Sequence, residues 1–130
     1  PKLPALRAYQ FSLTPPRPDA DSFEAAAAAR GEELFNGAAQ CATCHAGKSY
    51  SDAPLLHAAA ETGMEANEAR RSKPGQYRTT PLRGAFSHAP YFHDGSAATL
   101  DDVVSHYDEA LDLSLSADEQ ADLVAYLKSL

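Results

Sequence analysis

The residues with the most chemistry to offer lie within five positions: Cys41-Ala42-Thr43-Cys44-His45. These are the only two cysteines in the chain, and a histidine follows the second directly. Two thiols one helical turn apart can add to the two vinyl groups on one edge of a porphyrin. The imidazole that follows then falls beneath the iron. The string is the attachment signature of c-type haem, with Cys41 and Cys44 as thioether anchors and His45 as the proximal ligand. In that role the ring binds neutral, usually with its other N–H held by a carbonyl that fixes its orientation.

Other uses of a closely spaced cysteine pair fit less well. A zinc site needs four protein ligands, yet there is no other cysteine, and His57, His88, His93 and His106 lack zinc-finger spacing. A thioredoxin-like redox pair belongs in a βαβ pattern, and the flanks carry no strand signal. A disulfide across two residues closes almost no loop and stabilises little.

An iron held from below needs a residue above, and the residues leave several candidates open. Tyr107 lies on the apolar face of a helix that starts at Thr99. Met64 is the single methionine, and a thioether raises the potential of an electron-transfer haem. His93 is a third candidate; His57, His88, His106 or an open position complete the set, those three histidines being expected on solvated loop or helix positions. A ligating tyrosine must be tyrosinate, so ferric iron has to pull its pKa well below about 10. A cation such as Arg83 could assist.

The elements that must position these groups are helical. Asp21 is the expected N-cap of a helix with Glu24 as its capping-box partner. The run Ala25 to Ala29 has the highest helix propensity, and the helix should end at Asn36-Gly37. Further helices start at Thr99, with Asp102 closing the box, and at Ser116, with Glu119. The first presents Leu100, Val103, Val104 and Tyr107 on one face, and the second Leu123, Val124, Leu127 and Leu130. His106 points more than a right angle away from the Tyr107 stripe. Between Ala46 and Thr80 the signal is weak, with short helices expected over 54–60 and 65–71 and a turn at Ser72-Lys73-Pro74-Gly75. No strand-length alternation and no internal repeat appear. At the N-terminus a helical turn or two precedes Thr14-Pro15-Pro16-Arg17-Pro18, an extended linker that no helix can cross. Residues 1–20 are therefore an N-terminal segment and Pro-rich linker, and residues 21–130 one domain.

Composition agrees. At 130 residues the chain is long enough for one domain. Lys and Arg number 11 against 18 Asp and Glu, a net charge of -7. That excludes a duplex nucleic-acid binder, which needs cations to displace counterions from phosphates, and it favours basic or neutral-faced protein partners. No apolar run approaches the roughly 20 residues of a membrane span, and no leader pattern opens the chain. Much of the apolar content is alanine, with no Trp and one Met. Alanine buries little area, so the core is thin unless a group outside the 20 amino acids fills it.

Two resemblances follow. The helix ending Gly31-Glu32-Glu33-Leu34-Phe35, the Cys-X-X-Cys-His string and a last helix containing Tyr126-Leu127 resemble class I cytochromes c. That likeness implies an all-α fold with long loops around one covalently bound haem. Its first and last helices would cross with Gly31 and Phe35 forming a notch for Leu123, Tyr126 and Leu127. The strings Thr79-Thr80-Pro81-Leu82-Arg83-Gly84, Ala89-Pro90-Tyr91-Phe92-His93-Asp94-Gly95 and Ala98-Thr99-Leu100 are similar to the C-terminal haem domain of bacterial di-haem cytochrome c peroxidases. They are equally similar to the di-haem enzymes that mature methylamine dehydrogenase.

The second resemblance implies Tyr107 as the sixth ligand, since that position holds methionine in the peroxidases and tyrosine in the maturation branch. It implies packing or hydrogen bonding near the haem edge for His93, and carbonyls of Ala89 and Pro90 toward an interdomain calcium whose asparagine from the other domain has no counterpart here. Those enzymes carry a second Cys-X-X-Cys-His in an N-terminal domain where peroxide binds; this chain has one such motif. The expectation is a mono-haem electron-transfer domain with a redox partner protein and a second haem domain or subunit as a further partner. The alternative is the haem domain of a di-haem enzyme acting on peroxide, for which His93 and Asp94 are the residues to inspect. Covalent haem attachment places the protein in the periplasm or otherwise outside the cytoplasm. The Pro-rich start points to an upstream domain.

Overall fold

The computed structural model describes residues 2–130. Its framework is one long-range helix crossing. Helix α2 spans Ala25–Asn36 and helix α6 spans Ala117–Ser129, and the two pack together although about ninety residues separate them. Their contact is close because Gly31 has no side chain. A Cβ there would collide with the Asp122 carbonyl and lie 2.8 Å from the Tyr126 Cβ. Glycine in a helix interior costs about 1 kcal/mol against alanine, and the shortened distance between helices offsets it. Beside this notch Arg30 forks onto Asp122, with Nε–Oδ2 and the second N–O pair both at 2.7 Å. The charge-assisted pair is bidentate and fixes the relative slide of the two helices.

The caps follow local chemistry. Helix α5, Leu100–Leu111, begins at Thr99 and exchanges bonds with Asp102; α6 begins at Ser116 and exchanges bonds with Glu119. Both boxes fall where the sequence predicts. The start of α2 differs: Glu24, rather than Asp21, is the N-cap, its carboxylate accepting from the Ala26 and Ala27 amides at 2.9 and 2.7 Å. A carboxylate in the cap position also meets the positive end of the helix dipole, so the helix starts at the first alanine of the run.

Leu100 and Val104 of α5 and Leu123, Val124 and Leu127 of α6 are buried, while Leu130 is half-buried. Phe35 sits at the centre and is only 2 % exposed. Its ring meets Tyr126 at 5.2 Å, Tyr50 at 6.1 Å and His45 at 6.4 Å between centroids. The helix crossing and the candidate ligand thus share one aromatic side chain.

The middle of the chain departs from expectation. Residues 54–60 do not form a helix; Leu56–His57 (β1) pairs antiparallel with Tyr77–Arg78 (β2), Leu56 opposite Arg78 and His57 opposite Tyr77. The pairing is only two residues deep and its partners are distant in sequence, so no local alternation announces it. Single-turn helices α3 (Ala59–Thr62) and α4 (Ala66–Ala69) flank Gly63, and the Ser72–Gly75 turn is present. At the N-terminus α1 spans Lys2–Ser12, three turns rather than one or two, with none of its residues buried. Pro4 is tolerated because the first turn of a helix has no amide to lose. Pro15 and Pro16 lie against Gly84. No helix among the described residues is long and apolar enough to cross a membrane.

Candidate functional site

Cys41–Thr43 forms a single 3-10 turn that begins after Gln40, whose backbone is left-handed at φ 57°. The His45 amide donates to the Cys41 carbonyl at 2.9 Å. Both cysteines are half-buried, and no disulfide joins them. Burial pushes the Cys41 thiol up to about 11. The Cys44 thiol is also raised, by burial and then by the carboxylates of Asp52 and Glu61.

The ring of His45 is held at the Tyr50 carbonyl. Its Nδ1 lies 2.9 Å from the Tyr50 carbonyl oxygen. A carbonyl only accepts, so Nδ1 carries the proton. Burial lowers the pKa of His45, against the opposing pull of the Tyr50 hydrogen bond. In the neutral ring, Nε2 then keeps its lone pair. This is the carbonyl contact that the sequence reading requires of a proximal ligand; Tyr50 itself carries no motif that identifies it.

Tyr107 lies on the face of α5 shared with Leu100 and Val104, and it is half-buried. Burial pushes its phenol up to about 12, with Cys41 and Cys44 adding to the rise. Met64 is half-buried. It lines a surface hollow of about 410 Å³ together with Phe92, His93 and His106. Phe92 packs on both His106, at 4.8 Å, and Tyr107, at 6.0 Å between centroids.

The remaining expected residues are spread more widely. His93 is exposed and stacks at 4.9 Å on Tyr77, whose hydroxyl lies 3.4 Å from its Nε2. Pro90 is exposed and packs against Gly95. Arg83 is exposed, but its Nε donates to the Lys48 carbonyl at 2.6 Å and its guanidinium covers the Tyr50 ring at 5.4 Å. It therefore stands with the segment that follows His45. His88 is exposed, as expected.

His57 and His106 correct the expectation of solvated positions. The β1–β2 ladder presses His57 toward the cysteine turn: its Nε2 lies 2.8 Å from Asp52 Oδ2, and its Nδ1 lies 3.2 Å from Glu61 Oε2 and 4.0 Å from Cys44 Sγ. Burial lowers its pKa, but the two carboxylates outweigh burial and the net shift is upward. One oxygen or nitrogen each of Asp52 and His57 lies within 4.8 Å of the Cys44 sulfur, a three-residue cluster that spacing alone does not predict. His106 is half-buried under Phe92 with Nε2 at 3.3 Å from the Thr62 carbonyl.

The donor set fits a covalently attached haem. Cys41 stands one turn before His45 and Cys44 directly before it, and the imidazole, with Nδ1 on the Tyr50 carbonyl, keeps the Nε2 lone pair that a metal would take. A structural zinc site would need four protein ligands, and the cluster at Cys44 brings only Asp52 and His57 to the sulfur.

The family model for cytochrome c matches residues 28–130. The chain belongs to the cytochrome c family. Haem c is therefore its cofactor, and the largely helical fold is that of a class I cytochrome c domain. The methylamine utilization protein MauG of Methylorubrum extorquens is 29 % identical over 120 residues, covering 79 % of this chain and 34 % of that protein. The cytochrome c551 peroxidase of Nitrosomonas europaea is 33 % identical over 113 residues, covering 77 % and 33 %. Among solved structures, a MauG-like protein associated with microbial copper homeostasis superposes with a TM-score of 0.66 at 25 % identity, covering 86 % of this chain and 49 % of that one. Hydrazine synthase from Kuenenia stuttgartiensis gives 0.66 at 26 % identity, covering 98 % and 55 %. This cytochrome c domain thus spans about a third of the length of the curated relatives it matches.

Proposed function

We propose that this domain transfers single electrons through one haem c anchored by Cys41 and Cys44, with His45 as proximal and Tyr107 as distal ligand. The observation that carries the reading is the His45–Tyr50 contact, which fixes the tautomer and leaves Nε2 free beside two unpaired thiols. Haem c, when bound, supplies the Fe(III)/Fe(II) couple. The chain's own residues hold and tune it. The Tyr50 carbonyl polarises His45 and makes its ring a stronger donor. Tyr107 offers an oxygen donor whose anionic form favours the ferric state. Its burial holds the phenol neutral until a metal is present, so loss of its proton is tied to ligation.

Met64 is the second choice as distal ligand; Phe92 and His106 line the same hollow and lie between it and Tyr107 in the packing order. Pro90, His93 and Arg83 complete the proposed surroundings of the cofactor. The redox partner is a protein, and a second haem domain or subunit is part of the proposal. Because covalent haem attachment takes place outside the bacterial cytoplasm, we place the protein in the periplasm.

A second reading is favoured by the peroxidase and MauG relatives: the domain serves within an enzyme that acts on peroxide. Optical spectra of the ferric and ferrous protein with and without peroxide and CO separate the two. A six-coordinate iron inert to both supports the electron-transfer reading, and rapid reaction of this domain with peroxide overturns it.

A further inference from the structure

Arg83 is an exposed cation in an acidic protein, yet it makes no ion pair among the described residues. Its guanidinium is committed to the segment that follows His45. Nε donates to the Lys48 carbonyl at 2.6 Å, and Cζ lies 5.4 Å from the centre of the Tyr50 ring, within the range of a cation–π contact. Both contacts fall on the turn 47–50, which the Tyr50 amide closes by donating to the Gly47 carbonyl at 3.1 Å.

That turn is under strain where it matters. Tyr50 has φ 53°, in the left-handed region that a side chain with a Cβ enters at an energetic cost. Strained backbone persists only where its surroundings over-determine it. Here the restraints come from several directions. The Tyr126 hydroxyl donates to the Tyr50 hydroxyl at 3.4 Å, Phe35 meets the Tyr50 ring edge-on, and the Ser51 hydroxyl donates to the Thr79 carbonyl at 2.8 Å. Arg83 adds a contact from the exposed side, over the ring and onto the Lys48 carbonyl of the same turn. The product of the arrangement is a single group, the Tyr50 carbonyl, aimed at His45 Nδ1 from 2.9 Å.

We infer that Arg83 is a positioning residue for the proximal histidine: it clamps the left-handed turn at Tyr50 and thereby holds the carbonyl that orients and polarises His45. The inference rests on the reading of His45 as an iron ligand. Lysine at this position keeps the charge but has neither the planar fork that engages a carbonyl nor the flat face that covers a ring. The distinction between charge and geometry supplies the test.

The experiment measures the midpoint potential of the haem-loaded wild type, Arg83→Lys and Arg83→Gln. It also follows solvent exchange of the His45 Nδ1–H in the ferrous protein by NMR. A slackened carbonyl contact makes His45 a weaker donor, and the ferric state loses stabilisation. Both variants are expected to move the redox equilibrium about tenfold toward ferrous, about 59 mV for one electron, with faster exchange of that proton. A lysine variant at the wild-type potential with a glutamine variant shifted toward ferric means that the charge acts directly, and it overturns the clamp. Unchanged potentials in both variants overturn it as well, whatever happens to thermal stability. If the wild-type His45 ring shows no resonances shifted by the haem, the ligand assignment itself fails, independently of either variant.

Discussion

Tyr107 and Met64 represent two opposite chemistries for the same iron. An anionic oxygen donor stabilises Fe(III), and a thioether stabilises Fe(II). Replacing Tyr107 with Phe should abolish a phenolate-to-iron charge-transfer band and move the redox equilibrium at least tenfold toward ferrous, about 59 mV. Optical spectroscopy and a redox titration of the ferric protein check this. Met64→Ala should leave both unchanged; a lost ligand band in that variant would transfer the assignment. The residue scale is also where sequence reasoning is most uneven. Cys41, Cys44 and His45 are legible because their spacing is itself the chemistry. Tyr50 and His57 are not, because a carbonyl aimed at His45 and an imidazole beside Cys44 come from backbone geometry and a two-residue ladder.

The crossing of α2 and α6 carries the stability of the elements. Gly31→Ala places a methyl against the Asp122 carbonyl and the Tyr126 Cβ, atoms of a helix backbone and its first side-chain carbon that cannot swing aside. The intrinsic helix gain of about 1 kcal/mol should be outweighed by the overpacking cost of about 1–3 kcal/mol or more, so thermal unfolding of the haem-loaded protein should show net destabilisation. The neighbouring ion pair adds a pH dependence. The Arg30 guanidinium, bonded to the Asp122 carboxylate, holds it below the usual carboxylate range. A group with a depressed folded pKa stabilises the fold above its unfolded value, near 4, and that contribution is lost as pH falls through the folded value. Asp122→Asn should flatten the acid limb of a stability–pH curve below about pH 4 and lower the plateau above it. The caps are simpler: Ser116→Ala should cost about 0.5–2 kcal/mol in the same assay, because the Glu119 amide loses its acceptor.

For the whole molecule, the question is what fills the centre. Phe35 is the largest side chain shut off from solvent, and much of the remaining buried surface is alanine or single aliphatic residues. A porphyrin supplies the flat apolar body that these side chains do not, so the haem-free chain should lose most of its helical circular dichroism at 25 °C and regain it only when haem is attached during maturation. A haem-free chain that unfolds cooperatively with near-native helix content would count against this. Helix α1 with its exposed Leu3, Leu6, Tyr9 and Phe11 lies outside that core. Removal of residues 2–12 should therefore subtract only that helix's own signal and leave the haem dependence of the rest unchanged.

What the amino-acid sequence determines by itself is whatever depends on neighbours within one or two helical turns. The haem-attachment string and the capping boxes at Thr99 and Ser116 are of that kind, since each arises from fixed spacing along a single element; the glycine notch came only with the resemblance to class I cytochromes c, because Gly31 meets Asp122 and Tyr126 across the helix crossing. Even the one misplaced cap, Glu24 for Asp21, is an error of three residues on a correctly identified helix. Tertiary structure decides what depends on chain segments that meet only after folding. It brings the Tyr50 carbonyl onto His45, Arg83 over Tyr50, His57 against Cys44, and Phe92 against His106 and Tyr107. Those contacts rest on a left-handed turn, a two-residue ladder and the stacking of Phe92. None of these has a periodic signature, because each is stabilised by packing from residues distant in the chain.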